Sequence, residues 1–319
     1  MSSSSYIAGI ELGGTTCIAA IAKESSPTTI IDRVEVRTTT KEETFSALAN
    51  FLKEKLSLLN IKAFSAVGIA SFGPVDLNKS SKTFGFITST PKERWGYVDV
   101  VGFFKKELEE NTPIVFETDV NAPAIAEVAH EMTKNDYNGE FPTLVYITVG
   151  TGVGVGININ GQPVHGLLHP EGGHMVVPKK PGDDYQGCCN YKHYCCVEGM
   201  IDSQAIAERT NTNQIQLDKI ADSDAVWDSV GYYLGSLCLN ITYLVSPHVI
   251  VLGGGIMKRT ILYDKTRHWF KELMKGYLDV EKFKTTKGLE NYIRKSVYGN
   301  DAGIIGALEI SKRICLRNK

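Results

Sequence analysis

The sequence lacks the extremes of composition that mark several protein classes. Only 11 of its 319 residues are proline and no low-complexity tract interrupts it, while 43% are hydrophobic and 22% charged. These ordinary proportions exclude collagen-like, disordered and disulfide-scaffold proteins. At roughly 150 residues per domain, the length fits one large domain or two medium ones.

An excess of charge of one sign is also missing. The chain has 34 basic and 36 acidic residues, a formal net charge of −2, so it has no global basic field to attract nucleic acid or anionic lipid. Its start lacks the features of a secretory signal, and no apolar run reaches the roughly 20 residues that a membrane span needs. We therefore predict a soluble, cytoplasmic protein with no nucleic-acid or membrane partner.

Two apolar hairpins with glycine-rich turns, at residues 6–22 and 144–159, repeat one design along the chain. Helical and strand-like patterns alternate around them, which predicts an α/β fold of two related halves that face a cleft. The predicted helices cover 42–59, 122–132 and 302–314, and the predicted strands cover 67–70, 113–117 and 248–252. We place the domain boundary after residue 117, with a larger second domain over 118–301 and a C-terminal helix that packs back on the first.

Three glycine-rich turns each follow an apolar strand. Glycine lets main-chain N–H groups approach phosphate oxygens closely, so these turns are candidates for nucleotide binding. The alternative is that they are merely tight turns, and none has the spacing of a P-loop or of a dinucleotide fingerprint. The candidates are Gly13, Gly14 and Thr15, then Gly150, Thr151 and Gly152, then Gly253, Gly254 and Gly255.

Asp119 follows the predicted strand 113–117 and precedes a predicted helix. A carboxylate at a strand end is well placed to accept the proton of a substrate hydroxyl. Asp119 or Thr118 equally suits the capping position of that helix. The residues alone leave both interpretations open.

Four of the seven cysteines crowd one stretch beside His193, at Cys188, Cys189, Cys195 and Cys196. In a cytoplasmic chain this favours a metal site over disulfides. We predict that His174, Cys189, His193 and Cys196 bind Zn²⁺ tetrahedrally, in a structural site with no open position for substrate. The neighbouring cysteines leave the ligand set open, and a reduced loop without metal is the alternative.

Several motifs in order resemble the ROK family of sugar kinases, over nearly the whole chain. They lie at residues 9–15, 70–77, 118–122, 169–174 and 196–199. Residues 84–92, followed by Trp95, resemble the fructokinase branch of that family. Glu11, Thr118 and Gly172 depart from the residues common in its other members.

This resemblance implies an actin-like (ribonuclease H-like) two-domain sugar kinase fold, with ATP and Mg²⁺ bound in the cleft between domains, and a homodimer. Asp119 matches the general base of the family. Glu171, His174 and Glu198 match its sugar-contacting residues, and Asn121, beside Asp119, is predicted to contact the substrate. The glycine-rich turns match its phosphate loops.

The sequence therefore predicts an ATP-dependent fructokinase that forms fructose 6-phosphate. Kinases of mannose or glucose would share the same residues. A regulator of the same family would need a DNA-binding module before the sugar domain, whereas the first hairpin here begins at Tyr6. A non-catalytic sugar-sensing protein is the remaining alternative, although such a protein need not keep all of these residues.

Overall fold

The computed structural model describes residues 5–109, 111–134 and 136–317, which form two compact units. The first unit contains the described residues up to His130, the segment Pro163–His169 and the described residues from Asp301 onward. The second contains Glu131–Gln162 and Pro170–Asn300. None of the described helices is long and apolar enough to cross a membrane.

The elements of the first unit alternate between strands and helices, as the sequence predicts. In chain order they are β1 (Tyr6–Leu12), β2 (Thr16–Lys23), β3 (Ser26–Arg37), α1 (Lys41–Leu58), β4 (Val67–Ser71), β5 (Phe86–Ile87), β6 (Val98–Asp99), α2 (Val100–Glu107), β7 (Ile114–Thr118) and α3 (Asn121–Glu131).

The second unit follows a similar plan with more helix. Its elements are β8 (Leu144–Val149), β9 (Val153–Ile159), β10 (Gln162–Pro163), α4 (Val197–Ile201), α5 (Ser203–Thr210), α6 (Val226–Val245), β11 (Val249–Gly253), α7 (Ile261–Met274), α8 (Glu281–Lys284), α9 (Thr286–Tyr292) and β12 (Ile293–Lys295). The final helix, α10 (Ala302–Arg317), returns to the first unit.

The two main sheets have the same topology. The first has the order β3-β2-β1-β4-β7 and the second the order β10-β9-β8-β11-β12. In each, a hairpin pairs antiparallel, and the first strand of that hairpin then pairs parallel with a later strand, β1 with β4 and β8 with β11. The repeated hairpin design in the sequence therefore corresponds to a repeated sheet.

Helix α10 packs on the first sheet. The Ser311 hydroxyl donates a hydrogen bond to the Ala8 carbonyl, at 2.8 Å, and a side chain at Gly9 would press on Leu308 of the helix. The core on the other side of the sheet is built around Phe45 and Trp95, whose rings meet edge to face at 5.5 Å. The sheet is thus covered on both faces.

The second unit is organised by the long helix α6. Most of its residues are buried, so it is apolar nearly all round, and it packs closely along α7. A Cβ at Gly235 would lie only 2.9 Å from the Phe270 nitrogen and the Trp269 Cβ, which explains why glycine occupies that position. Trp227, Tyr233 and Phe270 are among the largest fully buried side chains here.

Helix α3 lies within the first compact unit as far as His130, although the sequence-based boundary falls after residue 117. It is held there because Gly306 of α10 lies directly against the main chain of Ala122. The first unit therefore includes Asp119 and Asn121.

Candidate functional site

Asp119 lies on the turn between strand β7 and helix α3. Its amide donates a hydrogen bond to the Ser71 carbonyl, at 2.9 Å, at the end of the neighbouring strand β4. The Thr118 hydroxyl accepts the N–H of Asn121, also at 2.9 Å, and so fills the capping role at the start of α3. The turn is thus fixed by a sheet contact on one side and by a helix cap on the other.

A buried carboxylate supports this turn from beneath. Glu117 is 4% exposed, and its Oε1 accepts hydrogen bonds from the Thr118 amide and from the Asn121 Nδ2, each at 2.9 Å. Its Oε2 lies 2.9 Å from the His165 Nε2. Glu117 and His165 are functional candidates that the sequence did not predict.

Glu11, at the end of strand β1, lies near Asp119. Burial, together with the neighbouring carboxylates of Asp119 and Asp301, raises the pKa of Glu11 to about 8, against the opposing effect of the Ile304 amide. In the sequence, the signal for Glu11 is a carboxylate two residues before Gly13, the first glycine of the hairpin turn. The structure brings Glu11 and Asp119 together within the first unit.

The first glycine-rich turn joins β1 to β2. The Gly13 amide donates to the Thr16 carbonyl at 3.1 Å, and a Cβ at Gly13 would lie 2.5 Å from that oxygen, so glycine is required there. Gly14 and Thr15 are exposed at the tip. The Lys92 ammonium donates to the Gly14 carbonyl at 2.6 Å, which places a cation beside the predicted phosphate-binding amides.

The second glycine-rich turn joins β8 to β9. It is closed by a hydrogen bond from the Gly150 amide to the Gly152 carbonyl, at 2.9 Å, and held to helix α5 by the Ser203 amide, which donates to the Gly150 carbonyl at 2.8 Å. Thr151 is exposed at the tip. Helix α4 also reaches this turn, because Glu198 accepts the N–H of Val153.

The third glycine-rich turn follows strand β11 and borders a cavity. Gly254 has φ +92°, a conformation that glycine adopts without strain, and Gly255 lines a cavity of about 360 Å³. Within this cavity the Arg259 guanidinium lies 4.2 Å from the centre of the Trp227 ring and pairs with Asp222. The other lining residues are Leu217, Asp218, Ile256, Lys258 and Thr260.

The predicted metal ligands come together in the second unit. One ligand atom from each of His174, Cys189, His193 and Cys196 lies within 4.8 Å of all the others. The Cys189 Sγ is 3.6 Å from the His193 Nδ1 and 4.0 Å from the His174 Nδ1. Two thiols and two imidazoles at these separations fit a tetrahedral zinc ion.

The structure also separates the two neighbouring cysteines from this cluster. The Cys188 thiol contacts the Asp202 carboxylate at 3.3 Å, and Cys195 belongs to the hydrophobic core. The remaining cysteines, Cys17, Cys238 and Cys315, are buried, the usual environment of a free cysteine.

Glu171, His174 and Glu198, predicted to contact sugar, lie together in the second unit. The His174 Nε2 is 3.7 Å from the Glu198 Oε1, while its Nδ1 faces Cys189. Loss of hydration raises the pKa of Glu171, and Glu198 raises it further, whereas His174 opposes the shift. The Nδ1 of His174 thus faces the predicted metal ligands, and its Nε2 faces the carboxylate of Glu198.

Comparison with known proteins agrees with this fold. The ROK family pattern matches residues 7–314. A putative fructokinase of Bacillus subtilis is 35% identical over 305 residues, 96% of this chain and 95% of that protein. A fructokinase of Lactococcus lactis is 36% identical over 303 residues, 94% of this chain and 95% of that protein.

A solved structure of similar fold is the ROK hexokinase of Thermus thermophilus. It has a TM-score of 0.72 at 20% identity and covers 98% of this chain and 100% of that one. The architecture is therefore that of the actin-like sugar kinases. The chain belongs to the ROK family and is a sugar kinase of that family, as the sequence motifs indicate.

Proposed function

We propose that this protein transfers the γ-phosphoryl group of ATP to the 6-hydroxyl of D-fructose, forming fructose 6-phosphate. The main support is the similarity, over more than nine tenths of the chain, to two proteins named as a fructokinase and a putative fructokinase. The stretch 84–92 with Trp95 points in the same direction.

Asp119 acts as the general base. Phosphoryl transfer needs little covalent chemistry from the protein and depends on positioning and on charge stabilisation. A carboxylate on a turn held by Ser71 and Thr118 is well placed to accept the hydroxyl proton as the new P–O bond forms. A positioned base typically contributes about 10²–10⁴-fold in rate.

The glycine-rich turns hold the nucleotide. Gly14, Thr15 and Thr151 are exposed residues at the turn tips, and their main-chain amides are donors for phosphate oxygens. The cavity beside Gly255, with its Arg259–Trp227 pair, has the size and the polar and aromatic lining that suit the nucleoside. Mg²⁺ bound with ATP neutralises the phosphate charge.

The sugar contacts come from Asn121 and from Glu171, His174 and Glu198. Carboxylates and an imidazole offer acceptors and donors for the several hydroxyl groups of a hexose. Structural zinc held by His174, Cys189, His193 and Cys196 would fix the two segments that carry these residues.

Mannose or glucose as the natural substrate is the main alternative, since every residue above would serve either hexose. A non-catalytic sugar-sensing role is the alternative from another class. The homodimer stays a prediction.

Product analysis tests the proposal. The purified protein is incubated with Mg²⁺-ATP and ¹³C-labelled fructose, and the product is identified by NMR. We expect fructose 6-phosphate formed in step with ADP. Phosphate on another hydroxyl, or ATP hydrolysis without sugar phosphate, would contradict it.

A further inference from the structure

The buried Glu117 carboxylate beneath the Asp119 turn has a third partner from a distant part of the chain. Its Oε1 is occupied by the Thr118 amide and the Asn121 side chain. Its Oε2 faces the His165 Nε2 at 2.9 Å. Because a carboxylate only accepts hydrogen bonds, His165 must be the donor.

His165 belongs to a short segment, Pro163–His169, that lies in the first unit. A second contact fixes the end of this segment, since the His169 Nε2 accepts the N–H of Val75 at 3.2 Å. The His165 side chain is 41% exposed. Its ring therefore bridges solvent and a buried carboxylate.

The loss of this donor would disturb the Asp119 turn. A buried carboxylate oxygen without a partner is costly, so Glu117 would rotate or admit water and weaken its contacts with Thr118 and Asn121. Asn121 depends on that contact: its Nδ2 must face the carboxylate, and among the described residues its buried Oδ1 has no hydrogen-bond partner. Glu117 therefore contacts a residue on each side of Asp119 and supports the turn in addition to its contacts with Ser71 and the Thr118 hydroxyl.

We propose that His165 is a positioning residue for phosphoryl transfer, which acts through Glu117 to hold the turn carrying Asp119 and Asn121. This inference rests on the proposed role of Asp119 as the base. The His165 ring contacts Glu117, and it acts on the turn through that residue.

The hydrogen bond between His165 and Glu117 also makes the support of the Asp119 turn sensitive to pH. The hydrogen bond to Glu117 raises the pKa of His165, against the smaller effect of lost hydration. Glu117, from strand β7, is the charged group that acts on His165 in the part of the chain that the structure describes. Because a charge-assisted hydrogen bond is stronger than a neutral one, the turn is held most firmly when His165 is protonated.

Two substitutions separate the hydrogen bond from the charge. His165→Leu removes the donor and keeps an apolar side chain, whereas His165→Gln keeps a neutral N–H donor. His268→Gln, on the exposed surface of α7, is the matched control. For each variant, kcat and KM are measured between pH 5.5 and 8.5, about one unit or more on either side of a His pKa, on whichever hexose the wild type phosphorylates best.

We expect His165→Leu to lower kcat by about tenfold or more, because small misplacements of a reacting group are expensive in rate, with the KM for ATP nearly unchanged. His165→Gln should recover most of kcat at high pH and fall behind the wild type as the pH is lowered. Equal pH profiles for the wild type and His165→Gln, or a kcat for His165→Leu equal to that of the control, would overturn the proposal. If His165→Leu does not fold, the comparison of the pH profiles of the wild type and His165→Gln tests the proposal.

An activity-independent readout distinguishes this inference from the proposed function. NMR titration of the His165 ring should give a pKa above the ordinary value of about 6.5, and Glu117→Gln should lower it. In an Asp119→Asn background, His165→Leu should cause little further loss of kcat, since the group it positions is already disabled. Full turnover of Asp119→Asn would reject the base assignment, whereas an unchanged His165 titration in Glu117→Gln would reject this inference.

Discussion

Glu198 accepts a hydrogen bond from the main-chain amide of Val153, with 2.9 Å between its Oε2 and the nitrogen. This bond joins helix α4, which begins directly after the predicted zinc ligand Cys196, to the turn at Gly150–Gly152. The other carboxylate oxygen faces His174 at 3.7 Å. In the second unit, the predicted metal, sugar and phosphate residues therefore form one connected structure.

We therefore expect substitution of Glu198 to change the KM for sugar and the KM for ATP. Glu198→Ala removes the acceptor for Val153 and is expected to raise the KM for sugar and for ATP by about tenfold each, the scale of a lost hydrogen bond to a charged group. Glu198→Gln keeps an acceptor for the amide and should change the KM for sugar alone. Steady-state kinetics with each substrate varied in turn checks this, and a normal KM for ATP in Glu198→Ala would contradict it.

Replacing the proposed base tests the chemical step. Asp119→Asn should lower kcat by at least about 10²-fold, the contribution of a positioned base, with an unchanged melting temperature. Asp32→Asn, on the exposed strand β3, serves as the control and should keep normal turnover. Near-normal turnover in Asp119→Asn would remove Asp119 from the mechanism.

Metal removal should weaken stability and sugar binding together. A structural metal contributes its binding energy to folding, so chelation or Cys196→Ser should lower the melting temperature by several degrees, about 4–8 °C for a loss of roughly 2 kcal/mol, and should raise the KM for sugar. Cys188→Ser changes a thiol of the same segment outside the cluster and is the matched control. Metal-free protein with unchanged sugar kinetics would refute the role given to zinc.

The pH dependence of unfolding should report on Glu11. Its pKa is raised from 4.5 to about 8 in the folded chain, so between these values the native state holds a proton that the unfolded state has lost. The free energy of unfolding should therefore fall as the pH rises through this window. Glu11→Gln should flatten that slope, whereas Glu93→Gln, at an exposed position, should not; identical slopes in wild type and Glu11→Gln would show that Glu11 titrates normally.

The elements with clear periodicity could be predicted from the sequence. The apolar residues of the two hairpins form strand-like runs, and those of helices α1 and α10 recur at helical spacing. Each of these predicted elements is confirmed. Helix α6 was not predicted, because a helix that is buried on nearly all sides has no polar face to reveal its period.

For the site, the sequence identified residues by type and by their place at strand ends. Cys189 and Cys196 could not be told from their neighbours by spacing, since only the packing turns Cys188 toward Asp202 and Cys195 into the core. Glu117 and His165 are 48 positions apart, so no local pattern links them. Their pairing depends on the return of the segment Pro163–His169 to the first unit.

The central claim is tested most directly by the specificity constant. A coupled ADP-release assay with Mg²⁺-ATP gives kcat/KM for fructose, mannose, glucose and N-acetylmannosamine, and the ratio of these values measures discrimination between the sugars. We predict that fructose has the highest kcat/KM of the four. A higher value for another hexose would contradict the fructokinase assignment while keeping the kinase, and no turnover on any sugar would contradict the catalytic account itself.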